Sequence, residues 1–263
     1  MLSWTKNGVA LAVILAWLGS SISAAEPLSI LREERHLRVA GISETWRLSW
    51  ASLPRGRCQE ELMVAITCPC SGIAYGEEGD LMLSRTRRGA ALEVFRLTDL
   101  FAGEQAFLQR WPMRSGDFRD PSFYGDSMPA KVRRRRATLI MEIGDYNGDG
   151  QASEFLLLVL PLSSCGELWP IAVGLTKANP HLHAFGSRAN PQEPLRLPMS
   201  AWLKLRRGVR SFYTISSSCG DHGSDIEARL QINSDGATLD VIREEWACPA
   251  RGQVMQLLTR TRL

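Results

Sequence analysis

Residues 226–232, I-E-A-R-L-Q-I, alternate apolar and polar side chains without a break. In an extended chain successive side chains point to opposite sides, so Ile226, Ala228, Leu230 and Ile232 share one face. Residues 237–243, A-T-L-D-V-I-R, alternate less strictly. Between the two runs lies N-S-D-G, a turn signal, and the whole reads as a β-hairpin. This period of two constrains the fold more than any other feature.

The rest of the chain repeats the theme. L-R-V-A-G-I and T-W-R-L-S-W, within residues 37–51, are β-type patches, and E-L-M-V-A-I-T, residues 61–67, is a plausible buried strand. Residues 81–97 read as a hairpin turning at Arg88-Gly89. T-L-I-M-E-I, residues 138–143, and F-L-L-L-V-L, residues 155–160, read as two further strands. Thr98–Arg110 is the best helix candidate. Asp99 is placed to cap it, Leu100, Phe101, Phe107, Leu108 and Trp111 form a broad apolar stripe, and Pro112 stops it. Residues 200–210 fit either a helix capped by Ser200 or a strand. Many short strands with frequent turns predict a mainly β fold, a sandwich or irregular barrel of antiparallel strands with one short helix.

Residues 1–25 stand apart. Lys6 supplies a positive charge, Gly8 to Leu18 is apolar, and Ser23-Ala24-Ala25 fits cleavage before Glu26. Together they read as a secretory signal peptide. The apolar run is about 11 residues, against the ~20 that a membrane-spanning helix needs. The expected location is secreted or periplasmic, with no membrane span after cleavage. Residues 26–263 are expected to form one domain, with a possible internal boundary in the Gly- and Pro-rich loop 112–130. The formal charge of +3 includes Lys6, so the mature chain is nearly balanced. That balance, with export, argues against nucleic acid as a partner.

Six cysteines, Cys58, Cys68, Cys70, Cys165, Cys219 and Cys248, all lie beyond the leader. An even count in an exported chain reads as disulfides. Folding the chain about N-S-D-G brings Cys219 close to opposite Cys248, and this pair is expected to be bonded. Cys68-Pro-Cys70 is too short to close on itself, so each is expected to pair elsewhere, with Cys58 and Cys165 the remaining candidates.

The segment G-D-Y-N-G-D-G-Q-A-S-E-F, residues 144–155, carries the most chemistry. Asp145, Asn147 and Asp149 stand at every second residue. Gly150 follows where a sharp turn is needed, and Gln151 has a backbone carbonyl to offer. Ser153 and Glu154 close the segment. Calcium takes six to eight oxygens at about 2.3–2.6 Å, and alternating oxygen side chains on a curled backbone supply such a shell. An EF-hand would place a bidentate Glu at position twelve, where this chain has Leu156, and the flanks read as strands. The segment resembles the strand-flanked calcium loop of FG-GAP and VCBS-type repeats, approximately D-x-N-G-D-G-x-x-D before an apolar strand. Asp145, Asn147, Asp149 and Gly150 match, and Ser153 stands where the last acid would be, with Glu154 one residue late. The resemblance covers about a dozen residues and implies Ca²⁺ at the loop. It does not imply the repeat propeller, since one copy is present. The competing reading is a decorated β-turn, because N-G and D-G are both turn dipeptides.

Other candidates are weaker. Arg133 to Arg136 form a basic run, but strand alternation would split it between two faces. His181 and His183 are half a metal site without a third ligand. Asp221, His222 and Ser224 hold the ingredients of a hydrolytic triad without its geometry. Eight tryptophans suit either a carbohydrate platform or a core. The chain therefore reads as an exported calcium-loop protein with a binding or structural role toward an unknown extracytoplasmic ligand or protein. The alternative is an extracytoplasmic hydrolase whose active site assembles from distant loops.

Overall fold

The computed structural model describes residues 29–58, 74–101, 106–112, 136–157, 169–220, 223–250 and 253–263. Its strands form four antiparallel sheets. The first has the order β1 (Ile30–Val39), β2 (Ile42–Trp50), β5 (Leu81–Arg87), β6 (Ala90–Arg96). The second joins β3 (Arg55–Cys58), β4 (Ala74–Gly79) and β7 (Ala106–Pro112). The third joins β8 (Glu154–Leu157), β9 (Ile171–Gly174) and β10 (His183–Ala184), with β9 central. The fourth runs in chain order through β11 (Ser211–Ser217), β12 (Ile226–Ser234), β13 (Leu239–Ala247) and β14 (Gln256–Arg262). Among the described residues one α-helix, α1 (Met199–Arg206), precedes the fourth sheet. The expected mainly β, disulfide-containing class is the observed one.

The β8–β10 sheet is a middle layer. Phe155, Leu157, Ile171 and Val173 pack with Trp46, Leu48, Trp50, Leu81 and Leu83 of the first sheet. Ala172 and Leu156 face the other way, toward Trp202, Leu205, Leu230, Ile232 and Val241. A strand buried on both faces has no polar side, which is why F-L-L-L and I-A-V read as continuous apolar runs. Outer layers alternate because one face meets water. In β12 the buried residues are Ala228, Leu230 and Ile232. Trp46, Trp50 and Trp202 are buried, so they are core and not a surface platform.

The first sheet ends its core face on charge. Glu44 and Arg85 occupy inward positions beside Trp46, and both are buried. Arg85 holds the Glu44 carboxylate with both Nε (3.1 Å) and Nη2 (2.9 Å), and Trp46 Nε1 donates to it at 3.1 Å. Arg85 Nη1 also donates to the Pro180 carbonyl at 2.6 Å, tying the first layer to the segment before β10. Removing one partner of such a buried pair leaves the other charge unpaired, which costs about 3–5 kcal/mol.

Two expectations fail. The helix over Thr98–Arg110 is absent: Leu97–Phe101 is a 3₁₀ turn, and Ala106–Pro112 is β7, paired with β4. Gly103 costs a helix ~1 kcal/mol relative to Ala. The Thr98 hydroxyl is also committed, accepting from Leu81 N at 2.8 Å, and β4 offers the backbone of residues 106–112 a full ladder. Residues 138–143 join no ladder among the described residues. The Glu33 carboxylate takes the place of a strand partner, accepting from Ile140 N at 2.6 Å and Met141 N at 3.3 Å. The ambiguous 200–210 segment is helical from Met199 to Arg206; Ser200 lies inside the helix, and the cap position is Pro198.

The Arg88-Gly89 turn is present, both residues having left-handed φ of 52° and 79°. So is the Cys219–Cys248 disulfide, with Cα atoms 5.5 Å apart. The ladder ends at Ile226↔Ala247; beyond it Gly220 N donates to Ser224 O at 2.9 Å and Cys248 N to Asp225 O at 2.8 Å. Cys68, Cys70, Cys165, the leader, most of the 112–130 loop and the 61–67 strand lie outside the described residues, as does the Cys58 side chain. Among the described residues no helix is long and apolar enough to cross a membrane. Because the disulfide closes a loop of about 30 residues, Cys219→Ser/Cys248→Ser should lower stability by about 3 kcal/mol in urea denaturation. A loss under about 1 kcal/mol would contradict its structural role.

Candidate metal centre

Gly144 and Glu154 face each other across an isolated antiparallel bridge. Gly144 N donates to Glu154 O at 2.9 Å, and Glu154 N returns a bond to Gly144 O at 3.2 Å. The nine residues between them are thereby closed into a loop at the head of β8. Their own side chains set its curl. The Asp145 carboxylate accepts from Gly148 N at 2.6 Å and from Gly150 N at 2.9 Å. Asn147 Oδ1 accepts from Asp149 N at 2.9 Å, and Asp149 Oδ1 from Gln151 N at 2.7 Å. Gly150 has φ of +83°, a conformation that a side chain at this position would strain.

The rest of the fold holds the loop from three sides. Gly174 pairs with Glu154 in the middle sheet, and a Cβ there would sit 2.2 Å from the Ser153 carbonyl. Only glycine lets β9 approach so closely. Lys177 N donates to Asp149 Oδ2 at 2.6 Å, and Lys177 Nζ donates to the Asp149 carbonyl. The β12–β13 turn closes the third side, where the Ser234 hydroxyl donates to the Asn147 carbonyl. Arg210 brings a guanidinium to 3.9 Å from Asp145.

One ligand oxygen from each of Asp145, Asp149 and Glu154 lies within 4.8 Å of the others. A cation bonded to two oxygens at ~2.4 Å holds them no more than ~4.8 Å apart, so the three carboxylates are near enough for small side-chain shifts to bring them onto one ion. Asn147, Ser153 and Glu154 are buried. Glu154 Oε2 accepts from Tyr146 N at 2.6 Å, while among the described residues Oε1 has the Ser153 hydroxyl 3.4 Å away, whose one proton points to the closer Leu175 carbonyl. The Ser153 hydroxyl donates to the Leu175 carbonyl at 3.1 Å and accepts from Gln151 Nε2 at 2.8 Å. Gln151 O accepts from Ser153 N at 3.1 Å. The three carboxylates thus converge, Asn147 braces the turn, and Gln151 and Ser153 tie the loop to β9. The donor set is all oxygen, the preference of a hard cation such as Ca²⁺, and the residues fit it.

Electrostatics points the same way. Burial, with the Asp149 and Asp145 charges adding to it, pushes the Glu154 carboxyl up to about 9. A divalent cation would reverse that balance, because a bound ion is the largest local charge in such a site. Lys177, Arg210 and Ser234 were not marked by any motif. They meet the loop only through long-range folding, and Ser234 was legible only as part of a turn.

The other candidates do not assemble into a second centre among the described residues. His183 Nδ1 donates to the His181 carbonyl at 2.8 Å, and the His181 ring lies 3.7 Å from Glu93, so the imidazoles do not share a metal. Ser224 donates to Ile226 O at 2.8 Å. Asp221, His222 and Arg133–Arg135 lie outside the described residues, and Arg136 is exposed. Comparison with known protein families, characterised proteins and solved structures finds no match to this chain.

The raised Glu154 makes metal-free stability depend on pH. The folded state binds this proton more tightly than the unfolded chain. The stabilisation is therefore complete below the unfolded value of 4.5 and is lost as pH rises toward 9. Between pH 4.5 and 7 the loss is at most about 3 kcal/mol. In chelator, wild-type stability should fall over this window relative to Glu154→Gln. Parallel pH profiles of the two in urea denaturation would contradict the assignment.

Proposed function

We propose that this chain is an exported protein with a binding or structural role, built around a structural Ca²⁺ loop at Asp145–Glu154. The observation that carries the reading is the convergence of three carboxylates, one of them fully buried at the start of a core strand. The loop works as the FG-GAP and VCBS-type loops do, curling an oxygen-rich turn into an apolar strand. Its setting differs, because the segment leading in is held by Glu33 and not by a ladder.

The ion's role follows from where the loop sits. Tyr146 N is bonded to the Glu154 carboxylate, and the Tyr146 side chain is packed in the core cluster with Trp202 and Val241. A cation that draws Asp145, Asp149 and Glu154 together fixes the junction of the middle sheet with the β12–β13 turn. Stability gained on binding follows from mass action. Weak extracellular sites have Kd of about 10⁻⁴–10⁻³ M, so 10 mM calcium contributes about 1.5–3 kcal/mol.

A thermal melt of the oxidised mature protein tests this. Calcium at 10 mM should raise Tm by roughly 3–10 °C over chelator, and Asp145→Ala/Asp149→Ala should abolish the rise. Equal melting temperatures in calcium and chelator would return the loop to an ordinary turn.

A further inference from the structure

Beside the loop lies a cavity of about 200 Å³ that the metal does not account for. Asn147, Thr176, Asn179, His183, Phe185 and Gln192 are among its lining residues. We propose that this cavity binds one ring of an uncharged saccharide. The proposal deepens the binding role put forward above and rests on that reading, though not on the metal.

The chemistry of the walls narrows the ligand by elimination. Among the described residues no Asp, Glu, Lys or Arg lines the cavity. A phosphate, carboxylate or ammonium would find no counter-charge among these lining residues. A purely apolar ligand would leave polar groups unsatisfied, which costs ~1–3 kcal/mol each. What remains is a neutral ligand with several hydroxyls. The volume is below the ~300–1,000 Å³ of sites for drug-sized molecules, and suits a single small ring.

Specific groups wait for such a ligand. His183 Nδ1 lies 2.8 Å from the His181 carbonyl, which can only accept. Nδ1 therefore carries the proton, and Nε2 keeps a lone pair for a ligand hydroxyl. Burial holds His183 below its ordinary range, which keeps that lone pair free. Asn179 uses Oδ1 to accept from His181 N at 3.0 Å, and among the described residues its amide NH₂ has no partner. The exposed Gln192 side-chain amide, at the rim, has none either among the described residues. Two amides and one imidazole offer both donors and acceptors, which is what a ring of hydroxyls requires. The buried Phe185 ring, tilted against His183 with centroids 5.1 Å apart, backs the imidazole, and Ala178, Pro191 and Ala237 supply the apolar part of the wall. Asn147 belongs to both the loop and the cavity, so the loop sets part of the wall.

Saturation-transfer NMR on the mature oxidised protein tests the proposal. The probes are glucose, galactose, mannose and N-acetylglucosamine, with glucuronate and glucosamine as charged counterparts. At least one neutral sugar should receive saturation, and His183→Ala and Gln192→Ala should each weaken its Kd about tenfold. Far-ultraviolet circular dichroism confirms that the variants fold. Tyr213→Ala, on the exposed face of the fourth sheet, should leave the Kd unchanged. The proposal is overturned by silence from all four neutral sugars, by binding of the charged ones alone, or by variants in the cavity that bind as wild type. A signal lost in Tyr213→Ala would place the site elsewhere and also overturn it. Running the wild type with calcium and with chelator separates the two readings. Sugar binding without any calcium response removes the metal alone, and a calcium response with silent sugars removes this cavity alone.

Discussion

Glu154 starts β8 with no exposure to water, and the loop from Asp145 to Ser153 bends around its carboxyl group. A lone carboxylate in that position is costly to ionise. The chain nevertheless places two further acids beside it and closes the bridge to Gly144 behind it. Everything near the site answers to this constraint. Gly174 has no side chain so that β9 can close on Ser153, Tyr146 turns its backbone N–H to Glu154, and Lys177 and Ser234 secure the loop's outer edge. Either the proton stays on Glu154 or a cation replaces it, and the all-oxygen surroundings suit the cation.

The middle sheet explains why that single point matters to the whole. β8 and β9 are covered on both faces, by the first sheet on one side and by α1 and the fourth sheet on the other. A shift of β8 would disturb both cores at once. The loop at its head therefore acts as a junction, touching the middle sheet through Glu154 and the fourth sheet through Ser234. The buried Glu44–Arg85 pair plays the matching part on the other side, linking the first sheet to Pro180. The polar cavity sits between these anchored parts, next to the loop.

Much of this was legible in the sequence where the period was short and local. The alternation of residues 226–232 and the Arg88-Gly89 turn follow from geometry over a few residues, and the Cys219–Cys248 pair, 29 residues apart, from folding one hairpin about its turn. The spacing of Asp145, Asn147 and Asp149 marked the loop for the same reason. The failures share the opposite cause. The 98–110 segment carried a loose helical stripe, but its residues from Ala106 onward pair with the earlier strand β4. T-L-I-M-E-I had the composition of a strand, yet a carboxylate from β1 took its amide groups. Arg210 and Lys177 reach the loop from other elements, and no spacing near Asp145 announces them. The burial of Glu154 was equally hidden, because a glutamate beside a serine reads as a surface residue until the partner strand is placed.

The most direct measurement is an isothermal calorimetric titration of calcium into the chelator-treated, oxidised mature protein at neutral pH. The account predicts one site per chain with Kd of about 10⁻⁴–10⁻³ M, and release of protons on binding as Glu154 ionises. Proton release would show as a binding enthalpy that changes with the ionisation enthalpy of the buffer. A titration with no heat beyond dilution, in several buffers, would contradict it and leave the three carboxylates as a hydrogen-bonded turn.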